Sequence, residues 1–278
     1  MDKKYRLTDE TIIHEGVTLH RIEALRDFGN IKKGDKGGFI ENEYNLSHIG
    51  NCWVSDNAKV YDNAKVQNNA LVYDNAKVFD NAKVFDNAKV YCNAKVFDKA
   101  LIFGRAEVFN DAQVYNYAEV SDNAQVFNDA NICGDAQVFG CAAVFCKALI
   151  CDNAQIYSKA KIYGYAKIFD NAKIFNCARV YGDALVCGDA EVYNYAEVSG
   201  CAHICNNTKV ASHFDYIVFK NWWSSGRYFT WTRSNNMWRV GCFYGTGEEL
   251  IAKAYKDSEL SGREYERIVR YVESIYKP

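Results

Sequence analysis

From Asn51 to Ser212 the chain repeats a six-residue unit, typified by Asn57-Ala58-Lys59-Val60-Tyr61-Asp62, through 162 residues or 27 units without an insertion. Ala occupies the second position in 25 successive units, Ala58 to Ala202, and Val or Ile the fourth position in all 27, Val54 to Val210. So short and strict a period leaves few folds open. Each unit must meet its neighbours in the same way, and a core forms only by stacking one unit on the next.

Within a unit, a small, a polar, a β-branched and an aromatic residue precede Asp, Asn or Gly, which reads as a short strand followed by a turn. Alternate side chains of a strand share a face, so Ala58 and Val60 point one way and Lys59 and Tyr61 the other. An unpaired lysine is costly to bury, so the Ala and Val stripe faces inward. The Asp62-Asn63 junction supplies residues that tolerate a tight or left-handed corner. These arguments predict a mainly β, parallel coil structure, but leave open the number of sides and the hand.

The pattern Val-Tyr-Asp-Asn-Ala-Lys resembles that of hexapeptide-repeat proteins, in which three units form one triangular coil of a left-handed β-helix. The resemblance implies a single-stranded left-handed parallel β-helix of about nine regular coils, roughly 43 Å long at about 4.8 Å per coil. Upstream, the segment from Arg21 to Gly50 is similar to the leading segment of YdcK-like hexapeptide proteins of bacteria and phages, which usually carry a transferase label. Hexapeptide acyltransferases typically act as trimers on acyl-CoA, with a histidine base in the groove between subunits and a loop extruded from the coils.

Three domains are expected. Residues 1–50 form an N-terminal cap, with imperfect units at Gly38/Ile40 and Tyr44/Leu46 and a register shift at Ile49 and Gly50. Residues 51–212 form the prism. Residues 213–278 form a small α+β module that resembles the tail of many phage hexapeptide proteins. Strands are predicted at 216–220, 227–233 and 237–244, and two helices at the capping-box patterns Thr246-x-x-Glu249 and Ser261-x-x-Glu264. Tyr265, Ile268, Val269, Val272 and Ile275 recur at helical spacing.

The chemistry is sparse. His203 is the one histidine of the repeat array and the single catalytic candidate, a general base lacking a visible orienting partner. His14, His20, His48 and His213 are scattered, and no Cys-x-x-Cys pair exists, so no metal site is expected; no cofactor is expected either. Eleven cysteines in a chain without an export signal suggest reduced thiols in the cytoplasm. Cys133 and Cys151, and likewise Cys187 and Cys205, should stack on neighbouring coils as free thiol pairs. No apolar run is long enough to span a membrane.

Two surfaces are candidates for binding. In the tail, Trp222, Trp223, Arg227, Trp231, Arg233, Trp238 and Arg239 interleave aromatic and basic residues, which a small module needs first as core and which also suits binding of a protein, nucleotide or single strand. A formal net charge of −2 does not favour a nucleic-acid partner. On the prism, the outward fifth positions line up as aromatic columns. The longest comprises Tyr73, Tyr91, Phe109, Phe127, Phe145, Tyr163 and Tyr181, a candidate oligomer face because few monomers expose so long an apolar strip. The expected function is a non-catalytic, trimeric interaction scaffold for a protein or small anionic ligand. The phage-like ends imply a possible inhibitor of a host defence system, and an acyl-CoA-dependent acyltransferase is the alternative.

Overall fold

A computed structural model describes residues 3–276. The repeat forms 27 two-residue rungs, from Trp53–Val54 to Lys209–Val210, at the third and fourth positions of every unit. Each rung pairs in parallel with the rung 18 residues away, as in Val60 with Val78 and Val66 with Val84. Three sheets result, two of nine strands and one of twelve, the last extended by three N-terminal strands. This is the expected left-handed, mainly β prism, with about ten turns once the irregular first coil is included.

The inward stripe is closed to solvent. Every second-position Ala from Ala58 to Ala202 and every fourth-position Val or Ile from Val54 to Val210 is 0–1% exposed. Small and β-branched inward side chains alternate along the chain around each coil and stack like on like from coil to coil, so the narrow interior fills without a large residue. Backbone groups pair between coils: Lys59 N–H donates to Ala76 O at 2.9 Å and Tyr61 N–H to Val78 O at 3.1 Å.

The corners explain the sixth position. It has positive φ in every unit from Asp56 to Asn206, near 53–74°, a region that Gly, Asn and Asp enter at least cost. Asp has a second use there. Its carboxylate accepts the backbone N–H of the corner residue one coil on, as Asp98 does from Asn116 at 3.0 Å and Asp170 from Gly188 at 2.9 Å. At these bends an amide that would otherwise lack a partner is thereby paired.

At the N-terminal end, the antiparallel strands Tyr5–His14 and Val17–Ala24 lead to Lys36–Ile40, which pairs in parallel with the first rung of its face. Ile40 pairs with Val60 and Leu46 with Val66, a spacing of twenty that reflects the two residues Ile49 and Gly50. Gly37 lies where a Cβ would come within 2.6 Å of Val54 O, so only glycine allows this close approach to the first coil. Tyr44 does not take the inward position expected of it: it is 53% exposed on a short 3-10 turn, and Asn45 is buried instead. The Asn45 side chain donates to Asp62 O and Ala64 O, capping carbonyls at the open coil edge. Buried Lys4 does the same for Cys52 O at 2.8 Å, and burial lowers its pKa.

Beyond the prism, Ser212 and Asp215 turn the chain, the Asp215 carboxylate accepting from the Ala211 and Ser212 backbones. Four antiparallel strands follow, Tyr216–Lys220, Tyr228–Thr232, Met237–Val240 and Phe243–Gly245. The predicted strand 237–244 is two strands, because Gly241 adopts φ 57° and reverses the chain. Helix α1, Gly247–Asp257, begins at Thr246 with the expected capping box. Helix α2, Glu259–Tyr276, begins earlier than expected: Ser258 Oγ accepts the Ser261 N–H, which places Ser261 inside the helix. Tyr265, Val269 and Val272 pack on Phe229, Trp231 and Trp238, whereas Ile275 is half exposed. No helix among the described residues is long and apolar enough to cross a membrane.

Candidate functional site at the junction of prism and module

The tail residues divide sharply. Trp231 and Trp238 are 3% and 1% exposed in the module core, where the Trp231 indole N–H donates to Asn236 Oδ1 at 2.9 Å. Trp223 packs edge-on against Tyr265 at 4.9 Å. These three rings are therefore unavailable as an open platform; a module of this size needs them as core. Trp222 is 71% exposed, and Arg227 and Arg233 are also on the surface. Arg227 precedes the strand Tyr228–Thr232 and Arg233 follows it, so the two lie at opposite ends. Arg239 is partly buried, with its Nε lacking a hydrogen-bond partner.

The longest aromatic column forms a continuous ladder. The seven rings from Tyr73 to Tyr181 stack at 4.8–5.0 Å and within 8° of parallel. All seven are partly exposed. A second ladder starts at Tyr61, but this ring does not face outward to solvent. The N-terminal hairpin covers it to 2% exposure, against Leu19 and Phe39. Opposite charges at third positions one coil apart form ion pairs, Lys89 with Glu107 at 3.0 Å and Arg179 with Glu197 at 3.1 Å.

The column that begins at Tyr61 continues as cysteine higher up the prism, since the fifth positions there are Cys133, Cys151, Phe169, Cys187 and Cys205. Cys133 and Cys151 are joined in a disulfide, Cα atoms 4.6 Å apart, which corrects the expectation of free thiols. Rung stacking sets equivalent positions directly over one another, and this brings the sulfur atoms together.

The second pair is different. Cys187 and Cys205 are free and buried, 8% and 5% exposed. The His203 imidazole turns toward them, with Nε2 3.9 Å from Cys187 Sγ. One donor atom from each of the three residues lies within 4.8 Å of the other two. Cys205 donates its hydrogen to Cys187, and His203 adds a second favourable contact, so the Cys187 thiol is driven well below its ordinary pKa and Cys205 above it.

His203 thus stands against two buried thiols, and the three side chains form a cluster of metal-ligating type that the sequence reading did not assemble. The sequence did hold a signal. Third and fifth positions share the outer face of a rung, so His203 and Cys205 project together, and Cys187 lies one coil of 18 residues before Cys205. A search for Cys-x-x-Cys passes over that spacing. The module fixes the place, since Thr230 Oγ1 accepts the His203 backbone N–H at 2.9 Å, and Asn235 donates to Thr208 Oγ1 at 2.9 Å. The charge of Arg239 is felt at Cys205.

No protein-family model matches the chain. The stacked coils nevertheless have the fold of a hexapeptide-repeat β-helix. Over 66 residues it is 33% identical to the uncharacterized acetyltransferase YdcK of Escherichia coli (strain K12), a stretch covering 21% of this chain and 20% of that protein. The likeness is local: the chain spans a small part of the length of the curated relative it matches.

Proposed function

We propose that the protein is a non-catalytic interaction scaffold that associates along the Tyr73 column, as a trimer, and presents its surface to a protein or small anionic ligand. The carrying observation is the unbroken seven-ring ladder, partly exposed over its whole length. Pressing such strips together removes ring edges from water at roughly 25 cal/mol per Å² without disturbing the interior. In a phage setting the partner would be a host defence effector.

Native mass spectrometry of wild type and Phe127→Glu tests the assembly. Wild type is expected as a trimer and Phe127→Glu as a folded monomer, because the fifth position points away from the core; a monomeric wild type removes the reading. The second reading, an acyl-CoA-dependent acyltransferase, is favoured by the local likeness to YdcK. It requires acetyl-CoA binding to the purified chain and its loss in His203→Ala.

A further inference from the structure

We propose that Cys187, His203 and Cys205 form a Zn2+ site that ties two neighbouring coils at the end of the prism together, on the face where the C-terminal module docks. The donor set is two sulfurs and one imidazole nitrogen, the soft-to-borderline set that selects zinc over hard cations. Tetrahedral zinc, with bonds of about 2.3 Å to sulfur and about 2.0 Å to nitrogen, spaces its ligands roughly 3.5–3.8 Å apart. The Cys187–His203 separation of 3.9 Å is already close to that edge, and all three donors lie within 4.8 Å of one another. Side-chain rotation of a few tenths of an ångström to about 1 Å closes the set.

The surroundings fit a bound dication with two thiolates. Both sulfurs are buried, while His203 is partly exposed and gives a path for the ion. On binding, the thiol protons leave to solvent, two Zn–S bonds and one Zn–N bond form, and the metal centre is neutral. Arg239 Nε, a buried donor without a partner, lies on the strand Met237–Val240 of the module, and its charge reaches Cys205; a thiolate there is a suitable acceptor for it. Three protein ligands leave the fourth tetrahedral position to water or an added anion.

The competing chemistry is on the same face. Cys133 and Cys151, with the same 18-residue spacing, are a disulfide. That pair has no third donor. At its upper edge stands Phe169, and the equivalent of His203 two residues before Cys151 is Leu149. The histidine therefore separates the two pairs, and a metal uses it where a disulfide does not.

The test uses the purified full chain, treated with reductant and loaded with Zn2+ alone or with Co2+ alone as a spectroscopic probe. One metal per chain is expected by elemental analysis, with thiolate-to-cobalt charge-transfer absorption. Cys187→Ser and Cys205→Ser should each abolish that absorption, and His203→Ala should weaken Zn2+ retention by roughly tenfold or more. The double variant Cys133→Ser/Cys151→Ser should leave the absorption and the metal content unchanged. Should a cysteine variant misfold, wild type alone decides: its melting temperature should rise with Zn2+ and return on chelation. A reduced wild-type chain that binds neither ion, absorption that persists in Cys187→Ser and Cys205→Ser, or a Cys187–Cys205 disulfide surviving reductant would each overturn the site.

Discussion

The prism and the C-terminal module solve the same problem in opposite ways. In the prism the buried stripe is Ala and Val or Ile, each small and each repeated, and no rung depends on a residue that its neighbours lack. In the module the core rests on a few large side chains, Phe229, Trp231, Trp238 and Tyr265, each with its own partners. A repeated core spreads its stability over many equivalent contacts, as expected of stacked repeats. A small irregular core concentrates it.

The largest test of this contrast is Trp238→Ala. Trp238 is 1% exposed between Phe219 and Phe229, and truncation should cost about 3–5 kcal/mol. Chemical denaturation followed by tryptophan fluorescence should show the module unfolding early, while the β signal of the prism in circular dichroism persists. Simultaneous loss of both would show that the two regions are one cooperative unit.

Within the prism, the weak point is predicted at a corner and not in the core. Gly134 has φ 66°, and a Cβ there would lie 2.5 Å from Asp152 N. Gly134→Val should cost about 1–3 kcal/mol, whereas the same corner position carries Asp or Asn in most other coils. Ile150→Val, in the middle of the stripe, should cost only about 1 kcal/mol by the same denaturation measurement, despite its 0% exposure. An Ile150→Val loss as large as that of Trp238→Ala would break the comparison.

The smallest expected effect concerns pH and the N-terminal hairpin. Burial lowers the pKa of both His14 and His48; the charge of Lys77 adds to this at His14, while Glu43 opposes it at His48. The folded state thus favours the neutral imidazoles, and the unfolded chain takes up protons first. Stability is full above the ordinary value of 6.5 and falls as pH drops through the lower folded values. Melting temperatures measured across that window should decline less in His48→Gln than in wild type. Equal slopes in the two proteins would remove His48 from the effect.

Much of the prism was readable from its residues, because every contact that matters recurs at one spacing. The inward Ala58 and Val60, the left-handed Asp62 corner and the ladder from Tyr73 to Tyr181 follow from alternation within a rung and from stacking between rungs. Even the approach of Cys187 to Cys205 was legible. The module was less so. Its strands and helices could be placed to within a few residues from turn and capping signals, but the reversal at Gly241 and the Ser258 cap depended on backbone angles that the local composition did not dictate.

Periodicity settles which side of a rung a residue occupies, since that depends only on strand alternation and on the next coil. Tertiary structure alone decided which of those outward residues are covered and what they meet there. Tyr61 is buried because the N-terminal hairpin folds over it, Trp231 and Trp238 because helices α1 and α2 pack on their sheet. His203 turns to the thiols beside the docked module strand, whose Thr230 accepts its backbone N–H. Such contacts join segments with no common period, so no local pattern encodes them.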